Sequence, residues 1–137
     1  MSPETAALAR HRLARARESF AEGDALQAGG SLRGAVSRWY YSALHAARAL
    51  LATRGLDSAR HSGVIALFQQ HFVKEGLIAV DVARAFARSF EKRLNVDYAD
   101  FSDITADEAA RVRAEVAAFV DACATLLDRG LESPPKG

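Results

Sequence analysis

The chain has 137 residues, 50% of them hydrophobic, with 18 Lys and Arg against 17 Asp and Glu for a net charge of +1. A chain of this length buries roughly two thirds of the surface its unfolded form exposes, so no metal or disulfide staple is required, and the single cysteine, Cys123, excludes an internal disulfide. Charge this balanced excludes nucleic-acid binding by overall attraction, so any RNA or DNA site must be local.

Ser2, Pro3 and Glu4 form a helix start, with a capping hydroxyl, a proline at the first helical position and an acid in the first turn. Ala9, Leu13, Ala16 and Phe20 give helix 1 its apolar stripe, and Arg10, His11, Arg12, Arg15 and Arg17 make its early half basic. That run reads as a solvated face with contacts to Glu18 and Glu22, or as a phosphate-contacting patch. Its charges occupy the region where a signal peptide needs an apolar run, and no later segment approaches the ~20 apolar residues of a membrane span. The expectation is a cytoplasmic protein with no membrane partner. Cys123, in a helix-like FVDACATLL context, fits a small buried thiol in a reducing compartment.

Gly29 and Gly30 break helix 1, and Ser31 is placed to cap helix 2, which runs to Gly55. Val36, Trp39, Tyr40, Ala43, Leu44, Ala47, Leu50 and Leu51 share one broad face of it, which makes it the central core helix. Arg38, Tyr41, His45 and Arg48 fall in an arc of about 80° on another side, a stripe of long polar groups suited to lining a site.

Helix 3 is predicted in HSGVIALFQQHFVKEG, with Val64, Ile65, Phe68 and Phe72 on one face and Gly76 closing it. Helix 4 starts near Ala79 to Asp81, turns Val82, Ala83, Phe86, Phe90 and Leu94 inward, and ends at about Asp97 or Tyr98. YADFSDI reads as a loop. Thr105 and Glu108 make a capping box for helix 5, whose core stripe is Val112, Val116, Phe119, Cys123 and Leu126. No segment alternates like a strand. The expected fold is all-α, an up-and-down bundle of four to five helices in a single domain over residues 1–130, with a flexible tail at 131–137.

Helix 4 carries the most informative polar pair. Arg93 and Asp97, spaced i,i+4, project on the side of Phe86 and Phe90, away from Arg84, Arg88, Glu91 and Asn95. An inward arginine needs a partner, which is either Asp97 as a local ion pair or a phosphate held jointly with the polar stripe of helix 2. His61 and Ser62 open helix 3, where capping is the ordinary role and anion binding the functional one. His45, flanked by Arg38, Tyr41 and Arg48, is placed either to serve as a general base for phosphodiester chemistry or as a satisfied interhelical histidine. His11 and His71 read as surface residues. Metal-ligand spacings, phosphate loops and nucleophile elbows are all missing, so neither a metal nor another cofactor is expected.

Three blocks, AVSRWYYSALHAARALL, RHSGVIALFQQHFVKEG and the Arg-x-x-x-Asp-Tyr run from Arg93 to Tyr98, together resemble a small stand-alone HEPN-domain protein of bacterial and archaeal type. The resemblance spans about Arg12 to Leu127. It implies a helical bundle, homodimerisation and pairing with a small nucleotidyltransferase. In one branch it implies a metal-independent ribonuclease toxin whose antitoxin modifies a tyrosine near the active site. That branch uses an arginine and a histidine with four to six residues between them. Here Asp97 and Tyr98 stand where that histidine belongs, and no histidine follows them. Arg93 matches the motif's arginine and Tyr98 the nearby tyrosine; Asp97 would serve as a base but not readily as an acid. Arg38 with His45, and Arg54 with His61, also fit the loose spacing.

The resulting expectation is a HEPN bundle acting with a nucleotidyltransferase in a toxin-antitoxin or stress-related pair. It would bind nucleotide or RNA between helices 2 and 4 through Arg38, Tyr41, Arg48, His61, Ser62 and Tyr98, with Arg93, Asp97 and His45 as the catalytic candidates. The alternatives are a non-catalytic dimerisation module and an active ribonuclease.

Overall fold

A computed structural model describes residues 1–98 and 103–130, with Tyr98 described by its backbone alone. Five α-helices follow one another: α1 (Pro3–Ala28), α2 (Leu32–Ala52), α3 (His61–Phe68), α4 (Val80–Tyr98) and α5 (Ala106–Asp128). Among the described residues there is no strand. The all-α bundle anticipated from the periodicity is the fold, and α2 is its centre, packed against α1, α3, α4 and α5. The loop read in YADFSDI falls partly outside the described residues, as does the tail at 131–137.

α1 starts where the sequence places it, with the Thr5 N–H donating to Ser2 Oγ at 3.1 Å. It ends in a Schellman turn: Gly30 N–H donates to Gln27 O at 3.0 Å and Ser31 N–H to Leu26 O at 2.8 Å, with Gly30 at φ +88°. Ser31 occupies the cap position of α2, but its side chain makes no capping hydrogen bond. The orphan amides there are not satisfied by that hydroxyl.

Every residue assigned to the core face of α2 is buried. The buried arc is wider than that face, because Ala35, Ser42, Ala46 and Ala49 are covered as well. α1 lies close on this side, where Ser42 Oγ donates to Ala16 O at 2.6 Å and Ser19 Oγ to Arg38 O at 2.7 Å. Small side chains permit that approach, and the two hydroxyls replace the water their carbonyl partners lose.

The basic run of α1 is not a face of local i,i+4 pairs. Arg12 crosses to α2, donating to Arg48 O at 3.1 Å, and Arg17 stands 3.7 Å from Asp121 of α5. Among the described residues Arg15 alone of this run pairs on its own helix, with Glu18 at a loose 3.9 Å. Tertiary acids and carbonyls compete better because α1 is packed along its length.

The predicted third helix changes character after Phe68, continuing as a π-helical turn at Gln69–Val73. The wider turn keeps both Phe68 and Phe72 in the core, stacked with centroids 5.3 Å apart. The His71 carbonyl accepts from Arg54 at 2.9 Å, and His71 itself is partly exposed. Arg54 also pairs with Glu75 at 2.9 Å, which takes it to the far end of this segment from His61 and separates that candidate pair. Phe119 of α5 meets Phe68 at 5.3 Å and Phe86 of α4 at 5.5 Å, tying three elements into one aromatic core. Each such ring contributes about 1.5–3 kcal/mol by leaving water.

Thr105 caps α5, accepting from Glu108 N–H at 3.1 Å, and its whole predicted stripe is buried. No helix among the described residues is long and apolar enough to cross a membrane.

Candidate functional site

Tyr40 and Tyr41, adjacent on α2, face about 100° apart around the helix. Tyr40 is fully buried and Tyr41 sits half-buried beside it, with centroids 5.3 Å apart. Two other elements converge on the pair. From α4, the Arg93 guanidinium carbon lies 5.2 Å from the Tyr41 centroid and 5.6 Å from that of Tyr40. From the first residue of α3, the His61 ring stands 5.6 Å from Tyr40, 5.9 Å from Tyr41 and 6.4 Å from Phe90. A cation over two aromatic rings is attracted by their negative faces while remaining able to donate in plane.

Arg93 has the local partner that its spacing permits: Nε lies 3.1 Å from Asp97 Oδ2. The N–H is not directed at that oxygen, and among the described residues the buried Nε has no hydrogen-bond partner. The Tyr40 hydroxyl is likewise buried and unpartnered. Two buried donors without acceptors on neighbouring helices are uncommon and call for an explanation.

The polar stripe of α2 exists, with its members put to different uses. The exposed Arg38 lies 5.8 Å over the Tyr41 ring, and His45 is 6.4 Å from that ring on the next turn. Arg48 is held away from the pair by a fork to Asp57, Nε to Oδ1 at 3.1 Å and Nη2 to Oδ2 at 2.8 Å, with Arg12 adding a contact to the same carboxylate at 3.5 Å. The Arg48 hydrogen bonds hold the Asp57 carboxyl below its ordinary range. Nothing in the sequence pattern marks Asp57 for this, since it lies in the irregular connection after α2.

Neither His61 nor Ser62 is a cap. Arg60 takes the cap position in extended backbone without a side-chain bond, and both residues lie inside the first turn of α3, with Ser62 exposed. The side chain of Tyr98 lies outside the described residues. Tyr40, read from the sequence as pure core, belongs to the site as well; an unpartnered hydroxyl cannot be recognised from periodicity.

The two histidines differ in their electrostatic surroundings. Burial pushes the His61 imidazole below its ordinary pKa, and the charges of Arg93 and Arg48 lower it further. His45 is lowered by burial and then by Arg15, Arg48 and Arg12. Arg93 therefore bears on His61 and not on His45. Both sets of surroundings favour the neutral imidazole over the charged one.

A groove of about 410 Å³ between α4 and α5 is spanned by Arg88–Glu115 at 2.8 Å and by Lys92–Glu108. Another, of about 560 Å³, lies between α1 and α5. Neither includes Arg93 or Tyr41. No group of three or more His, Cys, Asp or Glu among the described residues could hold a metal ion.

Comparison with known proteins gives the family. A model of the HEPN domain matches residues 9–128. A UPF0332 protein of Thermotoga maritima is 32% identical over 114 residues, covering 83% of this chain and 86% of that protein. A protein of Methanocaldococcus jannaschii named as a candidate toxin is 39% identical over 89 residues, 65% of this chain and 66% of the relative. A second protein so named, from the same organism, is 33% identical over 75 residues, 55% of this chain and 51% of the relative. The matches to these two thus span about two thirds and about half of their lengths. The extent of the domain match, with the helical bundle that accompanies it, makes this chain a member of the HEPN domain family.

Proposed function

We propose that this chain is the toxin-like member of a two-protein system and binds an RNA phosphate at Arg93, where α4 meets α2 and α3. The observation that carries the reading is the state of Arg93: stacked over Tyr40 and Tyr41, its Nε buried and without a hydrogen-bond acceptor. The 18% of the Arg93 side chain left exposed is open to a phosphate oxygen, and a nearby ring offers a base a surface to stack on. The relatives named as candidate toxins support the cellular role. The resemblance in the sequence names the partner as a small nucleotidyltransferase, and the chain acts as a homodimer.

The test is binding of a fluorescein-labelled single-stranded RNA, read by anisotropy. Arg93→Ala, with helicity intact by circular dichroism, weakens binding by about 10- to 100-fold, the cost of a hydrogen bond to a charged group. Equal affinity of the two proteins rejects the RNA site. Co-expression with a small nucleotidyltransferase encoded beside this gene tests the partner, and failure to co-purify rejects it.

A pure assembly module is the second reading, favoured by the 3.1 Å closure of Arg93 on Asp97. Under it, Arg93→Ala changes the oligomeric state and leaves RNA affinity alone.

A further inference from the structure

α1 and α5 run antiparallel: Arg17 meets Asp121, while Asp24, further along α1, meets Arg113, further back on α5. Both helices pack on α2 and leave an open seam between them. Two hollows lie along it, of about 560 Å³ and about 260 Å³, and Arg17 lines both, so they form one groove crossed by its side chain. From Ala6 to Asp24 the groove follows α1 for about 27 Å. Leu13 and Phe20 of α1 with Val120 and Leu127 of α5 make an apolar floor, and the small Ala14, Ala21 and Ala117 leave room above it. The fork between Arg113 and Asp24, with the guanidinium 5.0 Å from the Phe20 centroid, closes one end.

The two rims carry opposite charge. Arg10 and Arg17 stand seven residues apart on the α1 side, and Asp121 and Asp128 seven apart on the α5 side. In an antiparallel pair, Arg17 facing Asp121 sets Arg10 level with Asp128, about two turns away. Each level presents one arginine and one aspartate to whatever lies between them. Seven residues also separate Leu13 from Phe20 and Val120 from Leu127, which is the repeat of left-handed helix packing. Among the described residues the ion pair across this groove is Arg17 with Asp121, a loose 3.7 Å between exposed side chains, and such a pair yields readily to new partners. The groove between α4 and α5 differs, because Arg88 with Glu115 and Lys92 with Glu108 bridge it closely.

We infer that the groove between α1 and α5 docks an amphipathic, heptad-patterned helix of a partner protein. Its large apolar side chains fill the floor, acidic residues line the edge against Arg10 and Arg17, and basic residues line the edge against Asp121 and Asp128. A second copy of this chain offers no such helix: among the described residues its exposed large apolar side chains are Met1, Leu8 and Val80, too scattered to make a row. The inference is independent of the RNA site.

The probe is a fluorescein-labelled peptide of three heptads, with leucine at both core positions, glutamate along one edge and lysine along the other, used below the concentration at which it self-associates. Anisotropy with the full chain reads binding. The parent protein binds it saturably, and binds a scrambled peptide of the same composition at least about tenfold less tightly. Arg10→Glu combined with Arg17→Glu weakens binding about tenfold. A peptide with lysine along both edges recovers that loss and binds the parent less well than the original, which a general disturbance of α1 would not produce. Ala14→Gln fills the groove without changing charge, weakens both peptides about tenfold, and decides the matter should the double variant fail to fold. Leu8→Gln, off the groove, binds like the parent. Equal affinity for the scrambled peptide, unchanged binding by the groove variants, or a loss that the swapped peptide leaves unrepaired overturns the assignment. A groove variant that changes the sedimentation of the protein alone gives the groove to a second copy and overturns the partner helix.

Discussion

The guanidinium carbon of Arg93 stands 5.2 Å from the centre of the Tyr41 ring, a contact between helices that no spacing along either helix encodes. It holds the arginine in one plane, with 18% of the side chain exposed and within reach of a ligand oxygen. Stacking and phosphate binding are compatible because the ring meets the guanidinium face while hydrogen bonds leave by its edge.

Asp97 competes with any phosphate for that edge. Asp97→Asn removes the competing charge, whose pairing at a partly exposed site contributes no more than about 1 kcal/mol, so RNA binding tightens by about two- to fivefold. Arg93→Lys keeps the charge and loses the planar fork, so it recovers only part of the affinity lost in Arg93→Ala. Anisotropy titrations at one fixed salt concentration measure both. Weaker binding by Asp97→Asn would mean that Asp97 orients Arg93 more than it competes.

The bundle is legible from the sequence because core burial repeats every 3.6 residues, and Trp39, Leu50, Phe119 and Cys123 obey that period. The site is only half legible. Arg93 and Asp97 are i,i+4 neighbours, a local relationship, and their inward side could be read from Phe86 and Phe90. The approach of His61 to Tyr40 depends on how the α3 start docks after an irregular connection, which no periodicity reports. The same holds for Arg48, whose polar face is evident while its capture by Asp57 is set by that same connection. The π-helical turn escaped as well, because apolar spacing over so short a stretch fits either winding.

Gly23 is required by the packing of α1 on α2. A Cβ built there would lie 2.5 Å from Cδ1 and Nε1 of Trp39 and 3.1 Å from the Ala35 carbonyl oxygen. Trp39 is fully buried, so it can yield only by moving the core. Although alanine favours helices, Gly23→Ala destabilises the protein by about 1–3 kcal/mol through overpacking. Urea denaturation followed by tryptophan fluorescence checks this, and a stabilised variant would show that α1 shifts without cost.

Cys123 is 1% exposed within α5, and burial pushes its thiol pKa well above the ordinary value. Thiolate is the reactive form, so the native protein does not react with a disulfide reagent such as dithionitrobenzoate on a timescale of minutes. One equivalent of thiol appears on denaturation. Prompt labelling of the native protein would reveal an opening of α5 that its packing opposes.

Asp24 joins α1, α2 and α5. Arg113 donates to it twice, Nε to Oδ1 at 2.7 Å and Nη2 to Oδ2 at 2.9 Å, and the Trp39 indole donates to Oδ1 at 3.1 Å. The Arg113 hydrogen bonds outweigh partial burial and hold the Asp24 carboxyl below its ordinary range. A folded-state pKa below the unfolded one stabilises the protein in full above the unfolded value of about 4, and that stability is lost as pH falls through the folded value. The pair is partly exposed and screened, so its contribution stays below about 1 kcal/mol. Asp24→Asn therefore lowers stability slightly at neutral pH, and the gap between variant and parent closes on acidification. Asp57 titrates in the same range in both proteins, so only their difference isolates Asp24. Urea midpoints measured from neutral pH down to about pH 2.5 decide the point, and a gap that stays constant with pH would show that Asp24 acts through its shape and not its charge.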